Sequence, residues 1–260
     1  MQKCDAWLWC GPKFGTYHLR LRNNIFYYRV ELPRENNKRR YKRIFNEENN
    51  MNKSLFLGGG GYPEISENFD KEFFELLDKD SRILYIPLAW NHPEIKLSDC
   101  YEWFGLVGLY LSVHKENILM YDGNIDYDLT TFDAIYIGGG NTYKLRDRIE
   151  KYALARQLRT FLTSEKPIYG GSAGAIVFGE KIATVVEERL GYPDYNGLEF
   201  CNFSLKCHYQ KEEKEKLQKI ANALQTTIYA LPEDGGLILD SNFHIIKQIG
   251  DVEKIEVRYR

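Results

Sequence analysis

Short apolar runs recur along residues 51–260, and most lead through a turn into a segment whose apolar positions repeat at helical spacing. Residues 54–57 (SLFL) form the first run. Its length and density of apolar side chains predict a buried strand, ending in Gly58-Gly59-Gly60-Gly61. Beyond the glycines, Phe69, Phe73, Leu76 and Leu77 fall on one face of a helix, with Ser66 as its expected cap. Residues 82–87 (RILYIP) predict the next strand, a helix is expected through 103–111, and a further strand over 117–121. Residues 132–137 (FDAIYI) predict another buried strand, which ends in Gly138-Gly139-Gly140-Asn141-Thr142. A helical stretch follows from Thr142 to about Leu162, with a break expected near Tyr152. Residues 167–171 rise as a strand into Ser172, residues 211–224 are amphipathic, and short strands are expected at 228–231, 237–239, 243–248 and 254–259. This alternation predicts an α/β fold: a doubly wound, mostly parallel sheet flanked by helices, with the site in loops at the strand C-termini.

Residues 1–50 show no sustained period and end in a polar run over 34–50. They carry 11 Lys or Arg against 5 Asp or Glu, while residues 51–260 carry 24 against 32; net charges of +6 and −8 make up the −2 of the whole chain. The expectation is a basic N-terminal extension, poorly ordered or a misassigned start, since Met51-Asn52-Lys53-Ser54 reads as a natural opening. The rival is an interaction arm in which Trp7, Trp9, Tyr17, Phe26, Tyr27 and Tyr28 pack or stack on a partner. Residues 51–260 are expected to form a single α/β domain. A hydrophobic fraction of 43% and a charged fraction of 28% fit a soluble globular protein. Neither a membrane-length apolar run nor a signal-peptide core stands out, and the net charge draws the chain to neither nucleic acid nor membrane. Five scattered cysteines without a CxxC give no disulfide framework or zinc site, so a reducing cytoplasm is expected.

The Gly-rich strand ends do not fit nucleotide binding. Gly58 to Gly61 lack the G-x-G-x-x-G spacing, with Pro63 where a phosphate-binding helix should begin, and Gly138 to Asn141 lack a following Gly-Lys-Ser/Thr. Gly170-Gly171-Ser172-Ala173-Gly174 is instead the G-x-S-x-G pattern of a strand–nucleophile–helix elbow. Small neighbours let the backbone turn sharply so that the serine Oγ projects into a cleft, and the Ala173 N–H points at an oxyanion forming there. The plainer reading is a turn with an N-cap serine. Gly138 to Gly140 would supply further N–H groups, with Asn141 or Thr142 as N-cap of the next helix. A serine nucleophile needs a base, and the base an orienting acid. Of His18, His92, His114, His208 and His244, the last two follow the serine and are the contenders. Glu233 or neighbouring Asp234 would serve His208; alternatively an esterase would use Ser172, Asp234 or Asp240, and His244. A non-catalytic binding module on the same fold is the third possibility.

Four segments occur in order: Gly138-Gly139-Gly140-Asn141-Thr142-Tyr143-Lys144-Leu145, Gly171-Ser172-Ala173-Gly174-Ala175, Cys207-His208-Tyr209 and Leu231-Pro232-Glu233. Together they resemble the Ser-His-Glu peptidase family that includes aspartyl dipeptidase (dipeptidase E) and cyanophycinase. The resemblance spans residues 54 to about 250. It implies a three-layer fold related to class I glutamine amidotransferases. It also implies a cytoplasmic serine peptidase of short peptides, monomeric or homodimeric, with no metal or cofactor. Ser172 would be the nucleophile, His208 the base, Glu233 the orienting acid, and the N–H groups of Ala173 and Gly139 or Gly140 the oxyanion donors. Three departures stand out. No arginine follows His208 before Arg258, where aspartyl dipeptidases carry one for an acidic side chain, leaving Lys211 or Lys214 as point charges. Glu187 stands near where the family often has an aspartate, and Cys207 replaces the proline common before the histidine.

Overall fold

The computed structural model describes residues 5–9, 16–22, 25–31, 53–90, 96, 98, 113–123, 127–184, 191–193 and 196–258. The expected helix through 103–111, the polar run over 34–50, and Met51, His92 and Glu187 lie outside the described residues. The chain divides into two units, Met1–Asn49 and Asn50–Arg260. In the first, β1 (Asp5–Trp9), β2 (Thr16–Arg22) and β3 (Ile25–Glu31) pair as an antiparallel meander, with Trp7 opposite His18 and Arg20 opposite Tyr27. This departs from the expectation of no strand period. The alternation is present in Tyr17, Leu19 and Leu21 against His18, Arg20 and Arg22. In β3 it is blurred because aromatic residues occupy both parities, Phe26 and Tyr28 on one and Tyr27 on the other.

The second unit runs β4 (Leu55–Gly58), α1 (Pro63–Phe74), β5 (Ile83–Ile86), β6 (Ile118–Met120) and β7 (Ala134–Ile137). It continues through α2 (Thr142–Lys151), α3 (Leu154–Thr163), β8 (Ile168–Gly171), α4 (Ala173–Ile176) and β9 (Ser204–Lys206). It closes with α5 (Lys214–Leu224), β10 (Ile228–Ala230), β11 (Gly236–Leu239), β12 (Ile245–Ile249) and β13 (Glu253–Ile255). Seven strands form the main sheet in the order β12-β11-β4-β8-β7-β5-β6. The five from β4 to β6 are parallel, and β11 runs antiparallel to both β4 and β12. A second, small sheet in the order β13-β10-β9 was not foreseen; β9 and β10 in it are parallel.

Alternation along the buried strands sorts side chains to two faces. Leu55, Leu57, Leu84, Ile86, Ile135, Ile137 and Ile168 pack with Leu145, Ile149, Leu158 and Phe161 of α2 and α3. Phe56, Ile83, Tyr85, Ala134 and Tyr169 pack with Phe69 and Phe73 of α1. Helices on both faces make three layers. Phe56, Phe69 and Phe73 are fully buried and meet edge-on, with Phe56 and Phe73 ring centroids 5.2 Å apart; each such burial contributes about 1.5–3 kcal/mol.

Helix α1 starts earlier than expected. Tyr62 is its N-cap and Pro63 its first residue, while Ser66 lies inside the helix and donates to the Tyr62 carbonyl at 3.1 Å or the Asp70 carboxylate at 2.7 Å. Proline suits the first helical position, because its fixed φ is helical and its missing N–H has no partner there; Pro63 therefore opens the helix rather than barring it. The predicted break falls between α2 and α3, at Tyr152 and Ala153, the latter with φ 52°. The start of the expected 211–224 helix is a 3-10 turn over Lys211–Glu213.

Candidate active site

Strand β8 lies between β4 and β7 in the sheet. Its C-terminal end therefore stands between the two Gly-rich strand ends, and all three loops meet at Ser172. Ser172 takes φ 54° and ψ −115° between β8 and α4, a conformation that costs a residue with a Cβ about 1–3 kcal/mol. The elbow's flanking glycines are dictated by close main-chain approach, within the turn for Gly170 and against the end of β7 for Gly174. A Cβ on Gly170 would lie 2.3 Å from the Gly174 carbonyl oxygen, and one on Gly174 would lie 2.3 Å from that of Ile137. Ser172 N–H donates to the Gly58 carbonyl at 3.1 Å, tying Ser172 to the end of β4.

The small sheet positions the other two side chains. Because β9 and β10 are parallel neighbours, their C-terminal ends emerge together, carrying His208 and Glu233. Ser172 Oγ lies 2.8 Å from His208 Nε2, and His208 Nδ1 lies 2.9 Å from Glu233 Oε1. His208 also has a left-handed backbone, φ 52°, and its N–H donates to the Gly59 carbonyl at 3.0 Å. The His208 and Glu233 side chains remain 46% and 39% exposed, so both are open to solvent.

The Gly58–Gly61 run, weighed in the sequence only as a nucleotide loop, threads through this relay. Gly60, at φ 95°, leaves no room for a Cβ, which would lie 2.7 Å from Ser172 Cβ and 2.8 Å from His208 Nε2. One on Gly59 would overlap the Pro232 carbonyl, and one on Gly61 would lie 2.3 Å from that of Glu233. On the other side of the serine, the Cβ position of Gly139 is 3.2 Å from Ser172 Cβ and 3.7 Å from its Oγ. The N–H groups of Gly139, Gly140 and Ala173 donate to no backbone carbonyl among the described residues. Asn141 caps α2 by accepting from the Lys144 N–H at 2.9 Å.

The esterase arrangement is not assembled. His244 Nδ1 lies 3.3 Å from Asp240 Oδ2 in a turn between β11 and β12, with its side chain 77% exposed. Because β11 is antiparallel to β4, with Leu239 opposite Leu55 and Gly236 opposite Gly58, that turn sits at the end of the sheet remote from Ser172.

Residues 55–246 match the family model of Peptidase family S51. The chain belongs to this family. Peptidase E of Actinobacillus pleuropneumoniae serotype 5b is 32% identical over 117 residues, 40% of this chain and 50% of that protein. Peptidase E of Shewanella sp. strain ANA-3 is 37% identical over 78 residues, 30% of this chain and 33% of that protein. The aligned chain thus spans half or less of these curated relatives. A putative peptidase E from Listeria monocytogenes shares the fold, with a TM-score of 0.58 at 21% identity over 80% of this chain and 100% of that one. A peptidase from an acI-B1 actinobacterium does so with a TM-score of 0.56 at 20% identity over 79% and 91%.

Within this S51 frame, the three lysines nearest the histidine along the chain are already neutralised. Lys211 pairs with Asp251 at 2.6 Å, Lys214 with Glu253, and Lys206 with Glu213 at 3.3 Å. Tyr209 OH also bonds Glu253, and its phenol is pushed up by burial and that carboxylate. Cys207 lies under the elbow, its thiol 3.5 Å from the Ser172 carbonyl and 3.6 Å from that of Gly58. On the α1 side, Asp70 accepts from Tyr169 OH and Ser66, and burial pushes its carboxyl up to about 6 despite those bonds. Tyr169 stacks on Tyr136 with centroids 4.6 Å apart, and its OH presses on Gly58. Among the described residues no three His, Cys, Asp or Glu side chains gather as metal ligands, and no helix is long and apolar enough to cross a membrane.

Proposed function

We propose that this chain is a serine-type peptidase that hydrolyses short peptides, as a dipeptidase or exopeptidase, through an acyl-enzyme on Ser172. The observation that carries this is the continuous relay of Ser172, His208 and Glu233, at 2.8 and 2.9 Å. His208 Nε2 takes the Ser172 proton as Oγ attacks the scissile carbonyl, and Glu233 holds the imidazole by its Nδ1–H. The N–H groups of Gly139 or Gly140 and Ala173 receive the tetrahedral oxyanion; one such donor is typically worth about 10²–10³ in turnover. His208 then protonates the leaving amine. Water, activated by the same imidazole, frees the acid and restores Ser172. The elbow between β8 and α4 supports a class I glutamine amidotransferase-like architecture. The buried free thiols of Cys201 and Cys207 support a reducing, cytoplasmic setting.

The test is turnover of a dipeptide and tripeptide panel with acidic, basic and neutral N-terminal residues, by the wild type and by Ser172→Ala. Cleavage of at least one peptide, reduced about 10⁴-fold or more in the variant, is expected. Equal cleavage by both proteins would refute the nucleophile.

A further inference from the structure

The cations around the site divide sharply. Lys206, Lys211 and Lys214, which flank His208, are paired with carboxylates, as described, and Arg146 pairs with Glu150 at 2.9 Å. Lys144 and Arg148, one turn apart on α2, pair with no carboxylate among the described residues. Both are partly buried. Lys144 Nζ donates to the Trp90 carbonyl, and the Arg148 guanidinium lies near the Tyr152 and Tyr192 phenol groups.

Lys144 stands beside the loop that carries the oxyanion donors, with Arg148 one turn behind it on α2. Asn141 N–H donates to the Ala89 carbonyl at 2.8 Å, and Lys144 Nζ bonds the next carbonyl along, that of Trp90. The Cβ position of Gly140 lies 2.2 Å from that same Ala89 oxygen, and that of Gly139 lies 3.2 Å from Ser172 Cβ. Desolvation, with the Arg148 charge beside it, holds the Lys144 ammonium below its usual range. Two like charges kept partly desolvated on one helix face, with no carboxylate partner among the described residues, are an unbalanced arrangement that an anion would relieve.

We propose that Lys144, backed by Arg148, forms the subsite that binds a carboxylate of the peptide substrate. The assignment rests on the serine-peptidase reading of the same cleft. It places the selective charge on the Gly138–Gly140 side of Ser172, with Lys211 and Lys214 held away in their own ion pairs. The carboxylate has two sources in a short peptide, its C-terminus and an acidic side chain.

The experiment compares one neutral-side-chain dipeptide as free acid and as C-terminal amide, and an Asp-containing with an Asn-containing dipeptide amide. Each pair is measured with wild type, Lys144→Gln and Lys144→Arg. In one pair the wild type is expected to favour the carboxylate form in kcat/KM by about 10–100-fold, the range of a charge-assisted contact. Lys144→Gln is expected to collapse that ratio towards one, mainly through KM, and Lys144→Arg to restore most of it. Preference in the first pair identifies the C-terminus, and in the second the side chain. A ratio unchanged by Lys144→Gln, or wild-type ratios near one in both pairs, overturns the subsite. Calorimetric binding of the four peptides to Ser172→Ala, with and without Lys144→Gln, separates the two claims. Carboxylate-dependent binding lost with Lys144, without wild-type turnover, keeps the subsite and removes the peptidase. Turnover with binding indifferent to Lys144 does the reverse.

Discussion

Replacing Asp70 with asparagine should make the protein more stable at neutral pH and leave it little changed in acid. Asp70 is half-buried on the inward side of α1, where its carboxyl accepts from Tyr169 OH and Ser66 Oγ, and desolvation raises its pKa from 3.8 to about 6. A carboxyl raised in this way holds its proton in the folded state at a pH where the unfolded chain has lost it. Its contribution is therefore whole below about 3.8 and falls as pH rises through about 6. At 1.36 kcal/mol per pH unit the loss reaches about 3 kcal/mol above pH 7, of which about 2 kcal/mol falls between pH 4.5 and 7.5. Asparagine fits the same network: its Oδ1 accepts from Tyr169, its Nδ2 donates to Ser66 Oγ, and Ser66 keeps its bond to the Tyr62 carbonyl. Urea unfolding of both proteins at several pH values reads the difference directly, because every other titration cancels between them. The stability gap should widen in favour of Asp70→Asn by about 2 kcal/mol from pH 4.5 to 7.5, which is about 4–8 °C in Tm for a domain of this size. A gap that stays constant over that range would refute the argument, since it would mean that Asp70 titrates alike in both states.

Gly60→Ala should lower kcat by at least about 100-fold and cost about 1–3 kcal/mol of stability, because its Cβ meets Ser172 and His208 on a backbone at φ 95°; near-normal steady-state turnover would contradict the threading described. Glu233→Gln should reduce kcat about 10²–10⁴-fold with a small change in KM, since an amide does not hold the His208 Nδ1–H as a carboxylate does; a loss confined to KM would assign Glu233 to binding. His208→Ala should abolish turnover while His244→Ala, whose ring lies exposed beside Asp240, stays within about twofold of wild type; the opposite pattern would restore the esterase arrangement.

The parts of this site legible in the sequence were those written as local pattern. Gly170 flanks Ser172 because its Cβ would meet the Gly174 carbonyl within the same elbow, and both glycines are readable from five residues even though Gly174's own obstacle is the distant Ile137 carbonyl. The buried strands and the break at Tyr152 follow from apolar spacing along a single segment. What escaped depends on contacts between distant segments. The Gly58–Gly61 run has no motif of its own, since its need for glycine comes from Pro232, Glu233, Ser172 and His208, far along the chain. Pairing of β9 with β10 sets His208 beside Glu233, yet three-residue strands leave almost no periodic signal. Asp70 looked like one more acid on an amphipathic helix; only the packing of α1 on Tyr169 buries it.

The nearest obstacles facing Gly59, Gly61 and Gly174 are carbonyl oxygens of other segments, and the one facing Gly170 is the Gly174 carbonyl oxygen within the same elbow; none is a side chain. A side-chain clash is open to rescue by trimming the neighbour, whereas a clash with main chain has no second-site suppressor of that kind. These positions should therefore behave as a fixed chassis in a mutational scan, intolerant in every genetic background. Variation that retunes the enzyme has to enter elsewhere, through side chains on walls such as α2. Directed evolution of new selectivity is best confined to those walls, with the glycines withheld from the library.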